Sequence, residues 1–119
     1  MEEYSLGVIE SRFADIVWAN APISTGNLIK LCEQELGWKR TTTYTVLKKF
    51  TERGIFDNQD STVVVLISRD DFYAKQSELY VERSFGGSLP SFLAAFTANK
   101  KLSEGEIQEI ETIIKGIRE

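Results

Sequence analysis

The sequence predicts a mostly α-helical chain with a small β-hairpin wing: a winged helix-turn-helix domain over residues 1–68 and a C-terminal helical dimerisation region over 69–119. Three patterns carry this expectation. Three apolar stripes at helical spacing precede Gly54, a β-branched run follows the turn residues after it, and two more stripes fill the rest of the chain.

The first helix is expected from about Val8 to Ala19, where Ile9, Phe13, Ile16 and Val17 share one face. Pro22 ends the connection after it, and Ile23 adds a short strand. Ser24 is the N-cap of a second helix carrying Leu28, Ile29, Leu31, Cys32 and Leu36, closed by Gly37. The third helix runs from about Arg40 to Arg53 and stops at Gly54. Its inward stripe is Thr43, Val46, Leu47 and Phe50, and its other side carries Thr41, Tyr44, Thr45 and Lys48. Ile55 and Phe56 begin a strand, Asn58–Ser61 is turn chemistry, and Thr62–Ile67 is the partner strand. Helix, strand, helix, helix, strand, strand is the order of a winged helix.

The remainder is helical. Ser68 and Asp71 form a capping-box pattern opening a helix through Phe72, Leu79 and Tyr80 to about Phe85, where Gly86-Gly87 ends it. Ser88 and Pro90 open a short helix striped by Leu89, Phe92, Leu93 and Phe96. Ser103 and Glu106 open a final helix whose Ile107, Ile110, Ile113, Ile114 and Ile117 make one apolar face. Contiguous apolar surface on this scale does not stay in water without a partner. A second copy of the arm, paired by a two-fold axis through these residues and Phe85, is the expected cover. The alternative is that the helices fold back on their own winged helix.

Composition narrows the function. The 119 residues hold 14 Lys and Arg against 18 Asp and Glu, no His and one Cys, for a net charge of −4. Without His, and with Cys32 alone, the sequence has no Cys/His metal cluster, no Ser/His or Cys/His nucleophilic pair and no internal disulfide. No enzyme, metal or cofactor is therefore expected. Glu104, Glu106, Glu109 and Glu111 read as a solvated helix face, since no cleft or cation tunes them. The longest apolar runs, Val63–Ile67 and Phe92–Phe96, fall far short of the roughly 20 residues a bilayer span needs. Met1–Leu6 lacks the basic and apolar regions of a signal peptide. A cytoplasmic protein without a membrane partner is expected.

The charge is unevenly spread. Between Gly37 and Arg53, Lys39, Arg40, Lys48, Lys49 and Arg53 face only Glu52, so this segment carries +4 and the rest of the chain −8. One reading is an ordinary solvated helix face. The other is a recognition helix, which needs short polar side chains near its N-terminal half and cations near its ends. Thr41, Thr42 and Thr45 suit base edges or phosphates, and a Thr methyl can pack on a thymine methyl. Each Thr costs roughly half a kcal/mol of helix stability relative to Ala, so four in Thr41–Thr45 are a poor way merely to build a helix. Thr43 belongs to the core. Tyr44 points outward, either to stack on a sugar or bond a phosphate, or as a half-buried surface Tyr. Lys39, Arg40, Lys48 and Lys49 fit phosphate neutralisation, with Arg40 also able to contact guanine; the alternative for Lys48 and Lys49 is solubility. Ser24 and Thr25 open the second helix, as caps or as a phosphate site. Trp18 and Trp38 read as packing anchors and Cys32 as a buried thiol.

Leu6, Glu10 and Trp18, followed by Gly37-Trp38-Lys39-Arg40-Thr41-Thr42-Thr43-Tyr44-Thr45-Val46-Leu47-Lys48-Lys49-Phe50 and Arg53-Gly54, resemble the penicillinase-repressor (BlaI/MecI) family. That family's recognition-helix pattern is W-x-x-x-T-V-x-T-x-L-x-R-L-x-x-K-G. Trp38, Thr42, Thr45, Leu47 and Gly54 match it; Thr43, Lys49, Phe50 and Arg53 replace Val, Arg, Leu and Lys conservatively. Ile67-Ser68-Arg69-Asp70-Asp71-Phe72 is similar to the family's V-S-R-E-E-Y, and Phe85-Gly86-Gly87-Ser88 and Leu93-Ala94-Ala95-Phe96 to its F-x-G-S and L-V-A-x-F.

The resemblance implies a homodimeric transcriptional repressor whose winged helix binds a palindromic operator in double-stranded DNA and whose arm dimerises. Three departures limit what is carried over. The wing has Asp57 and Asp60 and no Lys or Arg, which weakens the expectation of a phosphate contact there. Ala95-Phe96 stands where penicillinase repressors have the Asn-Phe bond that is cleaved on induction. The paired C-x-C motifs of copper-responsive relatives are missing. The residues identify neither an inducer nor a regulatory protease. Two other uses of such a fold stay open on the residues alone: a protein–protein interaction module without sequence-specific DNA binding, and a small-molecule-responsive repressor.

Overall fold

Caps and apolar stripes become six helices and one three-stranded antiparallel sheet among residues 4–119, the residues described by this computed structural model. The helices are α1 (Val8–Asn20), α2 (Thr25–Leu36), α3 (Arg40–Glu52), α4 (Arg69–Phe85), α5 (Leu89–Thr97) and α6 (Glu104–Arg118); the strands are β1 (Ile23–Ser24), β2 (Phe56–Gln59) and β3 (Thr62–Val65). The expected mostly helical winged-helix architecture with a C-terminal helical region is what forms. β3 is central, with Ile23 opposite Val63 on one side and Phe56 opposite Val65 on the other.

The chain divides into two units, Met1–Ser77 and Glu78–Glu119. The first is built around aromatic rings. Phe13 of α1 meets Trp38 at 5.6 Å, Phe50 of α3 at 5.3 Å and Phe56 of β2 at 6.5 Å between ring centroids. Ala14, Val17, Leu28, Cys32, Leu47, Ile55, Val63 and Phe72 complete the buried core. Trp18 packs against Phe56, Phe72 and Tyr73, and its indole N–H donates to the Ile67 carbonyl at 2.9 Å, so the polar edge of a half-buried ring is satisfied. The opening turns of α4 belong to this unit: Arg69 pairs with Asp15 at 3.1 Å and lies over Tyr73, and Gln76 donates to the Tyr4 carbonyl.

Two local expectations are corrected. The hairpin turn is not the four residues Asn58–Ser61: β2 continues through Gln59, and only Asp60 and Ser61 turn, with φ of 50° and 64°. Positive φ at both central residues is the backbone that matches the twist of the flanking strands, although glycine usually supplies it. The partner strand stops at Val65 rather than Ile67, because the Leu66 and Ile67 amides both donate to the Ile55 carbonyl (3.0 and 3.2 Å), which breaks the ladder.

The second unit holds the end of α4, α5 and α6. Tyr80, Phe85, Phe92 and Phe96 form a chain of ring contacts at 5.5–6.1 Å. Gly86 and Gly87, both at positive φ, close α4, with the Gly87 N–H reaching the Val81 carbonyl. Ser88 and Ser103 cap α5 and α6 through their hydroxyls, as their positions imply. Yet not one residue of this unit is buried. Leu89, Leu93, Phe96, Ile107, Ile113, Ile114 and Ile117 all stand exposed, while Phe85, Phe92 and Ile110 are half-buried. Among the described residues no helix is long and apolar enough to cross a membrane.

Candidate nucleic-acid interface

The helix-turn-helix starts from a sharp stop. Gly37 adopts φ of 67°, which a residue without Cβ takes at little cost, and its N–H returns to the Glu33 carbonyl at 3.0 Å. Trp38 then stacks on Phe13 at an interplanar angle of 19°, and α3 begins at Arg40. The core fixes the roll of α3. Thr43, Leu47 and Phe50 are buried and Val46 is half-buried, at the i, i+3, i+4, i+7 spacing of the predicted inward stripe.

Lys39, Arg40, Thr41, Thr42, Tyr44, Thr45, Lys48 and Lys49 are consequently all exposed. Four cations and four hydroxyl-bearing side chains share this surface, and Glu52 is the one acid of the helix. Thr45 donates its hydroxyl to the Thr41 carbonyl at 2.9 Å, leaving its methyl and oxygen lone pairs for an incoming group. Arg53, the fifth cation of the basic segment, turns inward instead. It donates to the Ser5 carbonyl at 2.9 Å, stands 3.9 Å from Glu10 and lies over Phe50.

The start of α2 departs from the expected pair of phosphate ligands. The Ser24 hydroxyl accepts from the Asn27 N–H and so serves as the cap. Thr25 is 7% exposed, and its N–H donates to the Ser61 carbonyl of the wing turn at 2.9 Å. Two amides of the first turn are thus engaged within the protein, and Thr25 is an internal joint rather than a surface ligand. The signal for this was present: Thr25, Leu28 and Cys32 have helical core spacing. Cys32 is fully buried, and burial pushes its thiol pKa up, outweighing the opposing contact with Thr43. On the wing, Asp57 accepts from the Asn58 N–H and the Gln59 amide, and no cation stands on β2 or β3.

Comparison with known proteins agrees with this geometry. Residues 6–116 match the Penicillinase repressor family. The chain belongs to that family. Among curated relatives, the methicillin resistance regulatory protein MecI of Staphylococcus aureus strain Mu50 is 23% identical over 115 residues, covering 93% of this chain and 94% of the relative. MecI of Mammaliicoccus sciuri is 22% identical over the same length. The penicillinase repressor of Bacillus licheniformis is 25% identical over 110 residues, 89% of this chain and 86% of its own. Membership of the penicillinase-repressor family, a family of transcriptional repressors, spans both structural units.

Proposed function

We propose that the chain is a sequence-specific transcriptional repressor that binds a palindromic operator as a homodimer. The carrying observation is the outward face of α3: eight exposed residues, from Lys39 to Lys49, without a carboxylate among them in a protein of net charge −4. Such a face, rolled outward by a buried stripe, fits the major groove. Lys39, Lys48 and Lys49 neutralise phosphates and set register. Thr41, Thr42 and Thr45 present hydroxyls and methyls to base edges, and Arg40 can pair with a guanine. The acidic wing leaves phosphate binding to α3. The second unit supports pairing of two copies, since its apolar helix faces have no cover within the unit. Pairing doubles the contacts and imposes inverted half-sites.

Selection of tight binders from random double-stranded DNA by the purified protein tests this reading. Two inverted half-sites should emerge, about one helical turn or a multiple apart. Recovered sequences without a shared motif would refute sequence-specific recognition.

A further inference from the structure

Tyr44 differs from its neighbours on the outward face of α3 because both ends of its side chain are engaged. Helical side chains lean toward the N-terminus, which carries this ring over the residue four positions earlier: the Arg40 Cζ lies 5.7 Å from the ring centroid. The phenol oxygen sits beside Thr25 and the Arg40 guanidinium, and both hold its pKa below the ordinary tyrosine value. Thr25 itself is buried at the start of α2, with its N–H on the Ser61 carbonyl.

We propose that Tyr44 is a positioning residue: its ring holds Arg40 so that the guanidinium meets DNA already ordered, and it does not itself contact DNA. An unrestrained Arg loses considerable rotamer freedom when it binds, and a stacked one has lost part of it beforehand. This inference rests on the DNA-binding reading above.

A double-mutant cycle with Tyr44→Leu and Arg40→Ala separates the cases, measured as affinity for the selected operator against random DNA. Tyr44 is 38% exposed, so the variants should keep wild-type Trp18 and Trp38 emission. Tyr44→Leu should lower the operator preference about fivefold per half-site. In the Arg40→Ala background it should add nothing. Tyr44→Phe, which keeps the ring over Arg40, should restore most of the preference. Fully additive losses would overturn the proposal, because Tyr44 would then meet DNA directly. A second readout needs no DNA. In the free protein, NMR titration of ring-labelled tyrosine should show the Tyr44 phenol rising toward its ordinary pKa in Arg40→Ala and in Thr25→Val. A phenol indifferent to both changes would overturn the clamp while leaving operator binding intact. A wild-type protein without operator preference would instead overturn the DNA-binding reading, and the proposal with it.

Discussion

Ile113→Asp is the sharpest test of pairing through the arm. Ile113 is 63% exposed on α6, whereas Ile110 is already half-buried in the single chain, so the former probes the partner with less disturbance of the protomer. Fully burying an isoleucine is worth about 1.5–3 kcal/mol, so covering the exposed part of Ile113 gains about 1–2 kcal/mol in each copy. A carboxylate placed in the same desolvated seam without a partner costs several kcal/mol more. Across two copies the loss is at least about 5 kcal/mol, enough to raise the dimer Kd roughly a thousandfold or more. Sedimentation equilibrium should show a wild-type dimer at micromolar concentration and an Ile113→Asp monomer. Both tryptophans, Trp18 and Trp38, lie in the first unit, so unchanged emission reports an intact winged helix in the variant. A dimer that survives the aspartate, or a wild-type monomer, refutes the argument.

Operator affinity should fall steeply with salt despite the acidic composition, with a slope of about −6 in log K against log salt if each half-site neutralises three or four phosphates. A slope near zero in fluorescence anisotropy titrations would mean that α3 does not meet phosphate. Lys48→Ala and Lys49→Ala should weaken operator and random DNA by similar factors, whereas Thr41→Ala should narrow the gap between them by about 1–3 kcal/mol. Thr43→Val, at a position 1% exposed, is the control: it should leave the gap intact and change the unfolding free energy measured in urea by no more than about 1 kcal/mol. Cys32 supplies a pH test. Its folded pKa is raised, so its stabilising contribution is complete below the ordinary thiol value and disappears as pH rises through the folded one. Between about pH 8 and about pH 10, wild-type urea stability should therefore fall more than that of Cys32→Ala; equal losses would remove the thiol from the explanation.

The helices were legible because their boundaries are chemical. Ser24, Ser88 and Ser103 each cap in the structure through the hydroxyl that marks them in the sequence, and Gly37 takes the left-handed conformation its position implies. The face of α3 was equally legible, since burial of Thr43, Leu47 and Phe50 follows directly from their spacing. The wing is less legible. A tight turn through Asp60 and Ser61 lacks the glycine that usually announces one, so Asn58 and Gln59 look like turn residues although they belong to β2. The early end of β3 depends on one carbonyl taking two amides, a non-local arrangement that no short pattern records. Thr25 reads as a cap or phosphate site for a related reason: its cap-like neighbourhood is more conspicuous than its helical spacing to the buried Leu28 and Cys32. Arg53 counted toward the basic segment by sequence position alone, while its side chain is drawn to Ser5 and Glu10.

The bond from the Thr25 amide to the Ser61 carbonyl also fixes the length of the wing. Surface hairpin tips are usually where a fold absorbs insertions, because nothing behind them depends on their backbone. Here the last residue of the turn holds the first residue of α2, and the next one, Thr62, pairs with both Ser24 and Gln59. One added residue would shift that carbonyl off the amide and push β3 out of register with strands on both sides. The hairpin can therefore vary in chemistry at Asn58, Gln59 and Asp60, whose side chains are exposed, but not in residue count.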